Sequence, residues 1–195
     1  MKKKIIELIE FYFMFYGVYK INLENYNNLN FDLHHNFNFK ILKIEDLKYF
    51  EALELKDSYL DIIKSRLNNE NEFICFALID SLTNKLAYYS WINQSKSYWV
   101  KEMNKTFNFK ETRSCLFEDD NTMIEYRSLG LHSFAMSKRI QYCLNNSIKT
   151  IYILIHLRNK PALKVVHKFK FKRSNFFPIY IRKEAVIYTL KKIKF

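Results

Sequence analysis

The sequence predicts a mixed α/β (α+β) domain: a mostly antiparallel sheet with helices on both faces. Three observations carry this expectation. The apolar run at residues 73–79 turns at Thr83-Asn84 and returns through residues 86–92, which reads as an antiparallel hairpin. An amphipathic stretch at residues 131–146 leads into the apolar IYILI at 151–155, a strand–helix–strand unit whose right-handed crossover makes its strands parallel. Finally, 195 residues with 49% hydrophobic content suit one globular domain, with or without an extension, and argue against disorder.

The elements follow in order. Phe37, Phe39, Ile41 and Ile44 nearly alternate, as a strand does. Residues 45–55 place Leu47, Phe50, Leu53 and Leu55 at helical spacing, and residues 59–67 do the same with Leu60, Ile63 and Leu67. After the hairpin, residues 93–110 are polar with aromatic spikes and read as a loop with a short helix. Residues 113–118 form a strand. The helix at 131–146 sets Ala135, Met136, Ile140, Cys143 and Leu144 on one face, with Lys138, Gln141 and Asn145 on the other. Pro161, just after Asn159, opens another helix that ends near Phe169. Strands at 172–182 and 185–190 complete the order β-α-α-β-β, β-α-β, α-β-β.

The domain therefore occupies residues 37–195, with residues 1–36 as a helical or irregular extension packed on it. The extension begins MKKKIIELIEFYFMFYGVYK. Glu7 and Glu10 interrupt its apolar run and no small-residue cleavage site follows, so it is not read as a leader. It is also too short and too charged to span a bilayer. An amphipathic helix fits. It either packs on the domain or touches a membrane surface through Lys2, Lys3 and Lys4. Residues 22–38, rich in Asn, read as a loop or short extended pieces.

The net charge of +12 admits two explanations, an anionic partner or a bias toward Lys and Asn in the coding sequence. Cys75, Cys115 and Cys143 lie in apolar contexts without CxxC spacing, as buried free thiols do in a reducing compartment. This points to a cytoplasmic protein, with a peripheral position at the inner membrane face if the lysine start engages lipid. The histidines show no zinc spacing, and no metal site is expected.

Chemistry concentrates at YRSLGLH, residues 126–132. The chain has two glycines, Gly17 and Gly130, and one is kept here, between an arginine and a helix. The first turn of a helix presents unpaired N–H groups whose dipole favours anions. A glycine lets a phosphate approach the backbone, and Arg127 adds a permanent positive charge. The pattern suits a pyrophosphate cradle, although a tight turn alone could also require Gly130. GxxxxGK[ST] and GxGxxG are both absent, which argues against a P-loop or a Rossmann site.

TMIEYRSLGL, residues 122–131, resembles the acyl-CoA-binding loop of the GNAT (GCN5-related N-acetyltransferase) superfamily, an Arg/Gln-x-x-Gly-x-Gly/Ala loop opening a helix. Arg127 and Gly130 match its first two key positions, and His132 stands where a second small residue would be. NKPALKVVHKFKFK, residues 159–172, resembles that family's Asn-x-x-Ala/Ser segment, which ends in Lys-x-Gly-Phe. Lys170 replaces the glycine, and Val166 occupies the place where many members carry a general-acid tyrosine. The resemblance spans about residues 37–190, and residues 117–131 look most like members linked to sugar and polysaccharide biosynthesis.

The resemblance implies an acyl-CoA N-acyltransferase-like fold. It also implies an enzyme that moves an acetyl or other short acyl group from acetyl-CoA (acyl-CoA), as co-substrate, to a small-molecule amine, such as an amino sugar or nucleotide sugar. Diphosphate would meet the backbone of Ser128, Leu129, Gly130, Leu131 and His132 and the Arg127 side chain. Pantetheine would pair along Asn121 and Thr122, where a backbone N–H could also stabilise the thioester oxyanion. Asn159 would contact the cofactor, cap its helix, or do both.

The amine must be neutral to attack, and a carboxylate can take its proton, directly or through water. Glu118 and Asp119 are the catalytic candidates; Asp119 aligns best with an acid of the sugar-linked members. Asp120 reads as a solvated turn residue, Glu125 as structural, and His156 and His167 as packed side chains that could carry protons. Tyr88, Tyr89, Trp91, Tyr98 and Trp99 could line an acceptor pocket or fill the core. Two other readings stay open. One is a basic module binding nucleic acid or a membrane surface, disfavoured because the lysines form no stripe. The other is a homologue that binds CoA without catalysis.

Overall fold

The computed structural model describes residues 13–24, 26–27, 36–100, 105–108, 111–181 and 187–189. In chain order they form β1 (Phe13–Asn22), β2 (Phe37–Leu42), a 3-10 turn (Ile44–Asp46), α1 (Lys48–Glu51), α2 (Asp57–Leu67), β3 (Phe73–Asp80) and β4 (Leu86–Asn93). They continue with β5 (Ser97–Val100), β6 (Lys105–Asn108), β7 (Ser114–Thr122), a 3-10 turn (Ile124–Tyr126), α3 (Leu131–Asn145), β8 (Thr150–His156), α4 (Lys160–Lys168), β9 (Lys172–Ile181) and β10 (Ile187–Thr189). The chain divides into two compact units.

The unit of Asn22–Ser95 and Arg113–Ile151 holds the sheet β2-β3-β4-β7, antiparallel throughout. Alternation along β3 and β4 splits its core into two layers. Cys75, Ala77, Tyr89 and Trp91 meet Phe50 of α1 and Ile63 and Leu67 of α2. Leu78, Ala87 and Tyr88 meet Leu131 and Ala135 of α3. All of β4 is buried, which is why its sequence reads as a nearly continuous apolar run. The expected helices on both faces are therefore present.

The other unit combines Met1–Ile21, Lys96–Thr112 and Tyr152–Phe195. Its strand order is β10-β9-β1-β8. β1 runs antiparallel to β9, with Phe13 across from Tyr180 and Lys20 across from Lys172. Gly17 is buried there, and a Cβ at this position would come within 2.7 Å of the buried Tyr19 ring and 3.2 Å of Leu157.

Three expectations need correction. Residues 13–22 form a strand, not part of an amphipathic helix: FMFYGVYK lacks polar residues at helical spacing and is aromatic-rich, which favours a pleated surface. Residues 1–12, with Lys2 to Lys4 and the anticipated membrane contact, lie outside the described residues. Within 93–110, β5 pairs with β6 as a hairpin where a loop and short helix were expected. The helix anticipated over 45–55 is broken into a 3-10 turn and the four-residue α1.

Candidate functional site

The loop between β7 and α3 is fixed before it reaches Gly130. Met123 N–H donates to Ala87 O at 3.0 Å, extending the β4 ladder. The Tyr126 hydroxyl donates to Asp80 at 2.9 Å, and its ring stands edge-on to Phe37 at 5.8 Å. The chain then opens: Arg127 is extended, and Ser128 and Gly130 both adopt left-handed conformations, φ 67° and 77°. Glycine takes this left-handed backbone at position 130 without Cβ strain. No atom lies within 4 Å of the point where a Cβ would project, so the approach to the backbone is clear.

α3 begins at Leu131 with no side-chain cap and no acidic residue in its first turn. Phe134 N–H is the first to bond back, to Gly130 O at 3.1 Å. The helix dipole at this end is therefore not offset by a side chain of its first turn. Arg127 is exposed beside it and donates from Nε to Thr122 O at 3.4 Å. Leu131 contributes its backbone alone, because its side chain is in the core. His132 does not crowd the loop. Its ring turns inward and stacks on Tyr88 at 6.2 Å.

β7 carries a bulge. Tyr89 pairs with Asn121 but Trp91 pairs with Glu118, so Asp119 and Asp120 together face Ser90. Asp119 takes the extra turn with φ 51°, a conformation Asp tolerates better than most residues. The bulge sends the acids to different partners. Arg66 of α2 places Nη1 2.5 Å from Asp119 and Nη2 3.5 Å from buried Glu118, its guanidinium lying over Trp91 and Phe73. Asp120 is not a solvated turn residue. It accepts from Arg139 Nη2 and from the Tyr88 hydroxyl, and His132 Nε2 lies 3.7 Å away.

Arg139 is wholly buried, 4.4 Å over the Phe117 ring. Burial opposes its charge, yet Asp120 and Tyr88 more than offset this and its pKa is raised. Burial lowers the pKa of His132 against the pull of Asp120. Arg66 and Arg139 were not singled out from sequence. The available signal is positional: Arg139 lies in the apolar stripe of α3, four residues from Ala135 and from Cys143.

Tyr88, Tyr89 and Trp91 are core residues. The Tyr89 hydroxyl nonetheless accepts from Asn121 Nδ2 at 3.2 Å and bonds the Tyr59 hydroxyl at 3.1 Å.

In the other unit, Asn159 caps α4, its Oδ1 accepting from Ala162 N–H at 3.2 Å. Val166 is buried. Lys170 adopts φ 62°, the left-handed conformation that a glycine would take without strain. His156 Nδ1 accepts from Arg158 N–H at 3.1 Å, and burial lowers its pKa. His167 stands edge-on to Tyr19 at 5.8 Å. Among the described residues no cluster could hold a metal ion, and no helix is long and apolar enough to cross a membrane.

No sequence-family model and no curated protein sequence matches the chain. Solved structures do. A GCN5-related N-acetyltransferase from Sphaerobacter thermophilus superposes with TM-score 0.61 at 7% identity, covering 89% of this chain and 54% of that one. A GCN5-related glucosamine N-acetyltransferase region of a fungal multi-domain β-N-acetylglucosaminidase gives 0.62 at 11%, covering 91% and 22%. An aminoglycoside acetyltransferase from an uncultured soil metagenomic sample gives 0.51 at 14%, covering 84% and 100%. The chain thus spans about half the length of the Sphaerobacter protein and about a fifth of the fungal one. At these identities the likeness is one of architecture: the mixed, mostly antiparallel α+β fold is that of the GCN5-related N-acetyltransferases.

Proposed function

We propose that the protein transfers an acetyl or other short acyl group from acyl-CoA to an amine, by direct attack of the neutral amine on the thioester. The observation that carries this reading is the opening turn of α3: uncapped amides, Gly130 at φ 77° with clear space above it, and Arg127 at its edge. In this reading the backbone of Ser128 to His132 and the Arg127 side chain bind the diphosphate. Asn121 and Thr122 present backbone to the pantetheine arm, and an N–H there stabilises the oxyanion. Asn159, in the other unit, remains a cofactor candidate besides its role as a cap.

The acceptor end is favoured by charge. Glu118, Asp119 and Asp120 face two arginines, Arg66 and Arg139, so one carboxylate charge is left to attract an ammonium. Asp119, with its side chain 38% exposed, takes the proton before attack. The C–N bond then forms, the C–S bond breaks, and the proton that the attacking nitrogen sheds on becoming an amide goes, through water, to the CoA thiolate, since residue 166 is Val and cannot supply one. An amino sugar or nucleotide sugar is the acceptor we favour, since two structural neighbours are named for glucosamine and aminoglycoside acetylation. The buried free thiols of Cys75, Cys115 and Cys143 fit a reducing, cytoplasmic setting.

Calorimetry with acetyl-CoA tests the reading. Wild-type protein should bind, and Arg127→Ala with Gly130→Val should abolish binding. No uptake by pure wild-type protein, or undiminished binding by the variant, overturns it.

A further inference from the structure

We propose that Arg139 is a positioning residue: by holding Asp120 it fixes the β7 bulge against the opening of α3. The proposal rests on the acyl-CoA reading for what the two surfaces do, but the clamp itself is read from contacts within one compact unit.

Arg139 lies just over two turns into α3, with no exposure to solvent. Its Nη2 reaches both Asp120 Oδ1 and the Tyr88 hydroxyl, the latter at 3.3 Å. Its Nε and Nη1 have no hydrogen-bond partner among the described residues. A buried guanidinium with unpartnered donors is a poor device for stability. Apolar side chains of similar volume usually serve a core as well or better. What a methionine could not do is hold a carboxylate at a fixed point on the neighbouring strand.

That carboxylate belongs to the second residue of the bulge, immediately before Asn121. It is also approached from the first turn of α3, where His132 Nε2 lies 3.7 Å from the same oxygen and the ring stacks on Tyr88. Asp120 is therefore tied to α3 by Arg139, with the His132 ring packed beside it. The Asn121–Thr122 backbone, assigned to pantetheine, and the opening amides of α3, assigned to diphosphate, are set at one spacing by this cluster. Small displacements of such surfaces have large effects on a ligand that must contact both.

The test pairs Arg139→Met with Asp120→Asn, which keeps an acceptor for the Tyr88 hydroxyl while removing both charges. We expect a melting temperature at or above wild type and faster hydrogen exchange at the amides of both 118–122 and 131–134. Acetyl-CoA affinity should fall roughly 10- to 100-fold. Arg139→Lys, which keeps the charge but not the fork, should fall between, and it carries the same test if the double variant does not fold. Unchanged exchange at these segments, or wild-type acetyl-CoA affinity in the folded variant, overturns the role of Arg139. Failure of wild-type protein to bind acetyl-CoA is a different result: it removes the acyl-CoA reading, whatever the exchange data show.

Discussion

Asn121 stands directly across the β4–β7 ladder from Tyr89, and its side-chain amide donates to the Tyr89 hydroxyl at 3.2 Å. Tyr59 of α2 extends the chain with a second phenol at 3.1 Å. Burial is the main force raising the pKa of both phenols, so both stay protonated in the fold at pH values where an unfolded tyrosine ionises. Their contribution to stability is present below about pH 10 and is lost as pH rises further. Tyr59→Phe should therefore cost less stability at pH 10.5 than at pH 8. Urea unfolding at the two values reads this, and an equal or larger cost at the higher pH counts against it.

His132 gives the opposite limb. Burial favours its neutral form in the fold, with Asp120 pulling the other way and Arg139 and the buried Tyr88 as its remaining polar neighbours. The unfolded chain therefore binds the proton more readily below about pH 6.5. The contribution of His132 is intact above that value and declines as pH falls through it toward the folded-state pKa. His132→Gln should flatten the stability profile between about pH 7 and 5 without changing it above 7.5. Denaturation midpoints across that range decide, and a profile as steep as wild type rejects the assignment.

α3 and α4 use the same stop without the usual residue. After α3, Ser147 takes φ 56°, and Ile148 and Ser147 N–H return to Cys143 and Leu144 carbonyls. After α4, Lys170 takes φ 62°, and Phe171 and Lys170 N–H return to Val166 and His167. These are Schellman closures, whose left-handed position glycine fills without Cβ strain. Ser147→Gly and Lys170→Gly should each stabilise by about 0.5–1 kcal/mol, a rise of roughly 1–4 °C in melting temperature for a chain of this size. A fall in melting temperature for either variant contradicts the reading.

The same scarcity of glycine explains why the site was only half legible. With two glycines in the chain, the one at Gly130 was informative, and its loop, α3 and the apolar β3, β4 and β8 could be read from period and turn chemistry. The clamps could not. Arg66 and Arg139 act on acids some fifty and some twenty residues away in sequence, and a lone arginine in a helix reads by default as a solvent-facing charge. The bulge was equally hidden: nothing in Glu118-Asp119-Asp120 marks which residue is the extra one, because register is decided by the facing strand. β1 was misread because one uninterrupted apolar run suits a buried strand as well as a helix face.

That bulge separates two chemically identical side chains into different expected roles. Asp119 leaves the ladder at φ 51°, meets Arg66 at 2.5 Å and keeps its side chain 38% exposed, so it can be reached by an acceptor amine. Asp120, its side chain 20% exposed, is instead held by Arg139 and Tyr88 with His132 beside it. Asp119→Asn preserves shape and can still accept from Arg66, but it cannot take a proton. With acetyl-CoA and glucosamine as probes, it should leave acetyl-CoA binding unchanged and lower kcat about 10²- to 10⁴-fold, the range for loss of a general base. Asp120→Asn should do the reverse, weakening acetyl-CoA binding through the loosened bulge while the residual turnover keeps its dependence on Asp119. If Asp119→Asn turns over as fast as wild type and Asp120→Asn is the slow variant, the base sits on the Arg139 side of the bulge, and the assignment of Asp119 is wrong.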